Sequence, residues 1–194
     1  KSELEDIVKS RQTSRKSRAN NGVKTVAFVG YTNAGKLSTI NTLLSIYKDE
    51  DSLKQVFVKD MLFATLETST RAIKLPNNKE FLVTDTVGLV SKLPHYLVES
   101  FKSTLEEINE ASLIIHLIDS TSPYMELQIE TTNKVLKELG VKDIPILYAY
   151  NKVDKLPNKM FVNATLSPSV LLSSVTKEGY DELCNHIEKT IFPD

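Results

Sequence analysis

The chain has 194 residues, of which 41% are hydrophobic and 25% are charged, and its formal net charge is -1. This is the balance of a globular domain with a buried core, and it excludes a strong global attraction to nucleic acid or membranes. No apolar run approaches the roughly 20 residues that span a bilayer. The single cysteine, Cys184, excludes an internal disulfide, so we expect a reducing, cytoplasmic compartment. We also expect the chain to be a monomer. Because the sequence does not begin with Met, we expect it to be a fragment of a longer protein.

Residues 1–22 differ from the rest of the chain by their basic charge. The basic side chains follow a helical spacing with few apolar residues, and Asn21-Gly22 is a stop signal. We predict that residues 1–22 are the end of a linker helix and that residues 23–194 form a separate domain. The basic tract is consistent with a solvated helix face or with an RNA-contacting segment. Its basic residues are Lys9, Arg11, Arg15, Lys16 and Arg18.

Strand and helix patterns alternate from Val23 onward. The predicted strands are VKTVAFVG, RAIKL, FLVTDT, SLIIHLID, IPILYAYN and SVLLSSV, and a turn at Pro76-Asn77-Asn78 joins the second to the third. The predicted helices are LSTINTLLSI, LVESFKSTLEEI, residues 123–139 and EGYDELCNHIEKTI. This alternation predicts an α/β fold, a three-layer sandwich with a mainly parallel sheet and one antiparallel edge strand. Ligands bind such sheets at the carboxyl ends of the strands.

The first predicted strand runs directly into a glycine-rich loop of the form G-x-x-x-x-G-K. The glycines let consecutive backbone N–H groups point at phosphate oxygens, and the helix behind the loop adds its positive dipole end. Lys36 is placed to reach the outer phosphates. A strand before the loop and a helix after it indicate a P-loop NTPase fold rather than a chance glycine turn. The predicted nucleotide contacts are Gly30, Tyr31, Thr32, Asn33, Ala34, Gly35, Lys36, Leu37 and Ser38.

One position of this loop departs from the pattern. The residue after the lysine is ordinarily Ser or Thr, whose hydroxyl ligates Mg²⁺, but here it is Leu37. Ser38 does not replace that hydroxyl, because one step along a helix turns a side chain by about 100°. We therefore expect phosphate binding by backbone groups to persist, and Mg²⁺ binding and turnover to be weakened.

The strand FLVTDT leads into a D-x-x-G sequence. Asp85 is expected to hold Mg²⁺, and the N–H of Gly88 is expected to contact the γ-phosphate. Thr86 and Val87 between them are predicted to contact the nucleotide as well. Leu89 follows, where many hydrolases of this fold carry a glutamine that orients the attacking water. A carbon side chain cannot position water, so another residue or a partner must do so.

A threonine between these two motifs is expected to close over the metal and the γ-phosphate. Thr65 is our first choice and Thr70 is the alternative. A third interpretation is that these hydroxyls belong to an edge strand and have no such role. The segment predicted to contact the nucleotide comprises Phe63, Ala64, Thr65, Leu66 and Glu67.

The strand IPILYAYN ends in an N-K-x-D sequence, which predicts the base. The Asp154 carboxylate can accept from guanine N1–H and the 2-amino group together, whereas adenine offers neither donor at these positions. Asn151 is expected to support the loop and Lys152 to lie over the purine, with Val153 completing the motif. The predicted ligands are therefore GTP or GDP, with Mg²⁺. Backbone N–H groups after the last strand are expected to contact the base at Ser173, Ser174 and Val175.

Taken together, these motifs resemble the HflX family of ribosome-associated GTPases. GYTNAGK, FATLETSTR, DTVGLVSKLPHYLVESFKSTLEE, HLIDSTSP and NKVD occur in the family's order, over residues 23–191. The segment after Asp85 is the most discriminating, and the basic helix resembles the family's linker. The resemblance implies a GTPase that binds the large ribosomal subunit and helps to split or rescue stalled ribosomes under stress. Leu89 fits the family, whereas Leu37 departs from its Ser or Thr.

Three hypotheses remain open at this point. The first is an enzyme that hydrolyses GTP slowly with Mg²⁺, with Lys36, Thr65 and Gly88 as its catalytic residues. The second is a module that binds GDP or GTP with little turnover because of Leu37. The third is a ribosomal RNA-binding protein whose basic helix matters more than its nucleotide. The three histidines have no zinc-type spacing, and we predict that His116, in an apolar strand, is a core residue.

Overall fold

The computed structural model of the chain describes residues 22–47, 69–86, 108–159, 162 and 164–194. Its strands are β1 (Lys24–Gly30), β2 (Ser69–Lys74), β3 (Glu80–Asp85), β4 (Leu113–Asp119), β5 (Ile146–Asn151) and β6 (Ser169–Leu171). Its helices are α1 (Lys36–Ile46), α2 (Met125–Glu138) and α3 (Tyr180–Ile191). The predicted linker helix and nearly all of the predicted helix LVESFKSTLEEI lie outside the described residues.

The described strands form one sheet in the order β2-β3-β1-β4-β5-β6. All neighbours pair in parallel except β2, which lies antiparallel to β3 at one edge. The turn between β2 and β3 is closed by a hydrogen bond from the Leu75 N–H to the Lys79 carbonyl oxygen at 2.8 Å. Asn78 in this turn has a φ of 62°, which asparagine tolerates better than most residues. The predicted α/β fold with one antiparallel edge strand is confirmed.

Helices cover both faces of the sheet and bury its apolar strands. In β4, Leu113, Ile115 and Leu117 face a core shared with α1 and α3, while Ile114 faces a second core under α2. Coverage of both faces explains why β4 is apolar at nearly every position. Within the described ranges, no helix combines the length and apolar character that a membrane span requires.

Two element boundaries differ from the prediction. Helix α2 begins at Met125 rather than at Pro123, because a turn closed by the Met125 N–H and the Ser122 carbonyl oxygen at 3.2 Å precedes it. The end of α2 follows the prediction of a helix that stops before Gly140. Gly140 has a φ of 70°, and the Val141 N–H donates to the Leu136 carbonyl oxygen at 3.1 Å.

The last strand is shorter than SVLLSSV and ends at Leu171. The Leu172 N–H still donates to the Tyr150 carbonyl oxygen at 2.8 Å, but the Ser173 N–H donates to Glu178 at 3.1 Å instead. The chain therefore leaves the sheet at Ser173 and forms a loop at the carboxyl end of β5 and β6.

Candidate nucleotide-binding site

The glycine-rich loop curls tightly between β1 and α1. A Cβ added to Gly30 would lie 2.5 Å from the Leu117 carbonyl oxygen, so only glycine fits where β1 ends. The Ala34 N–H donates to the Tyr31 carbonyl oxygen at 3.1 Å, which closes a turn within the loop. Gly35 has a φ of 94° and leads the chain into α1. The loop thus has the curled path that the sequence pattern predicts.

The start of α1 presents backbone donors with no partner inside the helix. The first helical bond runs from the Thr39 N–H to the Gly35 carbonyl oxygen at 2.9 Å, so the N–H groups of residues 35–38 have no acceptor within α1. No side chain of the described residues caps this end, and its first turn has no acidic residue. An uncapped helix N-terminus behind a curled loop is an arrangement that favours the binding of an anion such as phosphate.

Lys36 adds a buried positive charge to this end of the helix. Its side chain is 8% exposed, and its Nζ donates to the Gly30 carbonyl oxygen at 3.3 Å. Burial lowers the pKa of Lys36 to about 8, and the nearby negative charge of Asp85 offsets part of that effect. A poorly hydrated ammonium group of this kind is stabilised by an anion that replaces its lost water.

Asp85 brings a carboxylate to the same edge of the sheet, at the end of β3. It is 3% exposed and lies opposite Phe28 in the pairing of β1 with β3. The next residue, Thr86, donates its hydroxyl to the Phe28 carbonyl oxygen at 2.6 Å, which fixes the chain as it leaves β3. Of the residues predicted after it, Val87, Gly88 and Leu89 lie outside the described part of the chain.

Among the described residues of the site, few side chains carry an oxygen atom that could ligate Mg²⁺. Leu37, in the first turn of α1, has no oxygen in its side chain. The described residues also contain no cluster of three or more histidine, cysteine or acidic side chains that could hold a metal ion. One carboxylate is nevertheless compatible with Mg²⁺, which commonly keeps several waters and takes its other ligands from phosphates. Residues 63–67, with Thr65, are not described, and Thr70 lies within β2 opposite Thr84.

The N-K-x-D residues hold the glycine-rich loop from the opposite side. The Asn151 Nδ2 donates to the Ala34 carbonyl oxygen at 3.0 Å, and the Lys152 Nζ donates to the Asn33 carbonyl oxygen at 2.8 Å. A Cβ added to Gly35 would lie 2.4 Å from the Asn151 Nδ2, so this glycine makes room for the amide. The Asn151 Oδ1 is buried and has no hydrogen-bond partner among the described residues.

Asp119 is a site residue to which sequence reasoning gave no role. Its Oδ2 lies 2.6 Å from the Lys152 Nζ, and its Oδ1 accepts from the Thr121 N–H at 2.9 Å. Burial raises the pKa of Asp119, but the hydrogen bonds from Lys152 and Thr121 outweigh that effect and lower it overall. The signal in the sequence was an aspartate at the carboxyl end of an apolar strand, where ligands of parallel sheets bind. Asp119 holds the Lys152 ammonium group beside the loop.

The carboxylate of Asp154 is oriented by the loop after β6. The Ser173 hydroxyl donates to Asp154 Oδ1 at 2.7 Å and accepts from the Thr176 N–H at 3.1 Å. Val153 is buried, and its N–H donates to the Leu172 carbonyl oxygen at 3.2 Å, so it fixes the turn that carries Asp154. The structure thus brings the N-K-x-D residues and Ser173 together.

Comparisons with known proteins agree with this arrangement. A family model described as 50S ribosome-binding GTPase matches residues 25–152. The chain is 41% identical over 191 residues to GTPase HflX of Caldanaerobacter subterraneus, with 98% of this chain and 42% of the relative covered. It is 48% identical over 157 residues to GTPase HflX of Akkermansia muciniphila, covering 81% of this chain and 34% of the relative. The chain therefore spans less than half the length of these relatives.

Solved structures of guanine-nucleotide complexes share the fold. A point variant of Era from Aquifex aeolicus, bound to GDP and AlF4⁻, is 26% identical, with a TM-score of 0.65 and coverage of 87% of this chain and 56% of that one. The complex of SsGBP with GDP is 27% identical, with a TM-score of 0.65 and coverage of 97% of this chain and 56% of that one.

Proposed function

Because this chain belongs to the family of 50S ribosome-binding GTPases, and within it to the HflX group, we propose that it is the guanine-nucleotide-binding domain of a cytoplasmic GTPase that acts on the large ribosomal subunit. The observation that supports this most directly is the double tether of Asn151 and Lys152 to the glycine-rich loop. These contacts support the proposal because they join the candidate base-binding residues directly to the loop of candidate phosphate-binding residues.

Guanine selectivity is assigned to Asp154. Its carboxylate accepts from the N1–H and 2-amino groups of guanine, and Ser173 keeps it in one orientation. Lys152, held by Asp119, lies along the purine, and the Asn151 Oδ1, unpartnered among the described residues, is available to a further donor. Adenine would leave the Asp154 carboxylate without donors, which is a large penalty in a site built to make those bonds.

Phosphate binding is assigned to the N–H groups of residues 35–38 and to Lys36. The negative charge of a diphosphate would stabilise both the uncapped N-terminus of α1 and the poorly hydrated ammonium group of Lys36. Mg²⁺ would be held by Asp85 and by Thr65, and it would neutralise charge on the outer phosphates. Gly88 is proposed to contact the γ-phosphate through its N–H.

Calorimetric titration with GDP, GTP and ATP, each with and without Mg²⁺, tests this proposal. We expect both guanine nucleotides to bind and ATP not to bind. Asp154→Asn should reduce the preference for GDP over ATP by at least about tenfold, because an amide cannot accept both of the hydrogen bonds that the carboxylate accepts from guanine. Asp143→Asn, at an exposed loop aspartate, makes the same chemical change away from the site and should leave the preference intact. If no guanine nucleotide binds, the proposal is wrong.

A second candidate function is nucleotide binding with little turnover. The observation that favours it is the aliphatic side chain of Leu37 in the first turn of α1, at the position where the loop pattern supplies a hydroxyl to Mg²⁺. We expect Leu37→Ser and Leu37→Thr to hydrolyse GTP faster than the unmodified chain, measured by phosphate release with Mg²⁺ in excess.

Leu127→Ser, on the exposed surface of α2, is the matched control for that experiment. It removes a leucine without adding an oxygen near the phosphates, so it should leave the rate unchanged. Equal rates for the unmodified chain and both Leu37 variants would show that Leu37 does not limit turnover.

A further inference from the structure

One peptide of the glycine-rich loop is held by an ammonium group from the other side of the site. The Lys152 Nζ donates to the Asn33 carbonyl oxygen at 2.8 Å. A trans peptide is planar, and its C=O and N–H point in opposite directions, so this bond also fixes the direction of the Ala34 N–H. That N–H donates to the Tyr31 carbonyl oxygen at 3.1 Å. The turn within the loop therefore depends on where the Lys152 ammonium group lies.

The two residues joined by this bond both have an uncommon backbone conformation. Asn33 and Lys152 each have a φ of 65°, in the left-handed region that residues other than glycine rarely adopt. Such conformations persist where the surrounding contacts determine them. At Asn33 the bond from the Lys152 Nζ is a contact of this kind. Without it, a rotation of the Asn33 peptide would break the turn that closes the loop.

The carboxylate of Asp119 fixes the ammonium group of Lys152 in turn. The Asp119 Oδ2 lies 2.6 Å from the Lys152 Nζ, and the two side chains are only 17% and 21% exposed, so solvent screens this ion pair little. The Asp119 Oδ1 accepts from the N–H of Thr121 at 2.9 Å and from its hydroxyl at 2.6 Å, which orients the carboxylate. Without this partner, the ammonium group of Lys152 would be attracted to a bound diphosphate instead of to the loop carbonyl.

We propose that Asp119 is a positioning residue that holds the glycine-rich loop in its phosphate-binding shape, through the Lys152 ammonium group and the Asn33 carbonyl oxygen. The inference rests on the proposed binding of guanine nucleotides. Each contact in this series joins two groups of the chain itself, so the series can form before a nucleotide binds. Asp119 then determines how large a fraction of the chains has a loop ready to bind, and thereby the rate at which a nucleotide associates.

The test measures the association and dissociation rate constants of fluorescently labelled GDP by stopped-flow mixing, for the unmodified chain and for Asp119→Asn. The substitution keeps the shape of the side chain and removes a negative charge beside a site for an anion, so charge alone would make association faster. Positioning predicts the opposite sign. We expect association to be about tenfold slower, the effect of one hydrogen bond to a charged group, and dissociation to change by less than about threefold.

Glu188→Gln is the matched control for this substitution. Glu188 also pairs with a lysine, Lys79 at 3.0 Å, but it does so beside the start of β3, at the opposite end of the sheet from the candidate site. The same chemical change there should alter neither rate constant.

A double variant shows whether Asp119 acts through Lys152. Lys152→Met keeps most of the apolar stem and removes the ammonium group, so Asp119→Asn should slow association no further in that background. An equal further loss would mean that Asp119 acts by another route, which overturns the inference. Association that is unchanged or faster in Asp119→Asn overturns it too, as does a change in dissociation that equals or exceeds the change in association. An unmodified chain that does not bind GDP defeats the proposed function itself.

A second pair of variants tests the same series without a change of charge. Thr121→Val keeps the branched shape and removes one of the two bonds to the Asp119 Oδ1, so association should be about 2- to 5-fold slower. Thr121→Ser retains a hydroxyl at this position and should keep the rate of the unmodified chain. If Asp119→Asn does not fold, this pair decides the question alone, and equal rates for the valine and serine variants overturn the inference.

Discussion

The side-chain amide of Asn151 donates to the Ala34 carbonyl oxygen at 3.0 Å across 117 residues of sequence. This bond joins the last residue of β5 to the loop after β1, and β1 and β5 are the two neighbours of β4 in the sheet. Both strands end at the same edge of the sheet, so a buried amide at this point holds together the two parts of the candidate site.

Removing the Asn151 amide should destabilise the fold and the site together. We expect Asn151→Ala to lower the free energy of unfolding by about 1 to 3 kcal/mol, because the Ala34 carbonyl oxygen loses its partner in a buried position. GDP affinity, measured by calorimetry, should fall by about tenfold or more. Asn109→Ala is the control, since the exposed Asn109 amide also donates to a carbonyl oxygen, that of Leu139 at 3.2 Å. Urea unfolding of Asn109→Ala should show a smaller decrease in the free energy of unfolding, and its GDP affinity should not change.

Gly35 should be far less tolerant of alanine than Gly140. Both glycines have positive φ, 94° and 70°, and alanine in that conformation costs about 1 to 2 kcal/mol. Only at Gly35 would the new Cβ also meet the Asn151 Nδ2, at 2.4 Å. We therefore expect Gly35→Ala to lose GDP binding and Gly140→Ala to keep it, as measured by calorimetry. The double variant Gly35→Ala with Asn151→Ala should cost less stability than the sum of the two single changes. Equal GDP affinity in the two alanine variants would contradict the packing described for Gly35.

GDP affinity should decline as pH rises above about 8. Burial lowers the pKa of Lys36 to about 8 in the free chain, and a bound phosphate favours its protonated form. The complex therefore keeps a proton that the free chain loses, so affinity is full below pH 8 and falls by at most about tenfold per pH unit above it. Lys36→Arg stays charged throughout and should show a flatter profile in titrations between about pH 7 and pH 9. If GDP affinity depends on pH in the same way in the unmodified chain and in Lys36→Arg, Lys36 is not the cause of that dependence.

Acid should destabilise the chain through His116, which is 1% exposed in β4. Burial lowers its pKa from 6.5 to about 4, and the charge of Lys36 adds to the effect. Because folding depresses the pKa of His116, the neutral imidazole contributes its full stability above pH 6.5. As pH falls toward 4, the free energy of unfolding should decrease by roughly 2 to 4 kcal/mol. His116→Phe should flatten the dependence of the urea midpoint on pH across this window. His186→Gln, which removes a histidine on α3, is the control. The same steep dependence in His116→Phe would assign the acid sensitivity to other groups.

The positions of most strands and of the loops that follow them were predictable because they depend on local patterns. Apolar runs ending in glycine, aspartate or asparagine predicted β1, β3, β4 and β5, and the turn at Pro76-Asn77-Asn78 predicted the antiparallel edge. What could not be predicted were contacts between distant segments. The ion pair of Asp119 with Lys152 and the bond of Ser173 to Asp154 depend on strand neighbours that no short pattern specifies. The sequence predicted that the Ser173 N–H contacts the base. In the structure that N–H donates to the Glu178 carbonyl oxygen instead, and the Ser173 hydroxyl bonds Asp154.

The placement of β1 at the middle of the sheet sets an order of assembly during synthesis. The glycine-rich loop is among the first described segments to be made, yet its tethers come from Asn151 and Lys152, which follow by 117 and 119 residues. Closing a loop of that length carries an entropic cost that only the finished sheet offsets. A nascent chain therefore cannot form a complete pocket until β5 and β6 have emerged and paired. A ligand that needs the complete pocket therefore stabilises the finished domain.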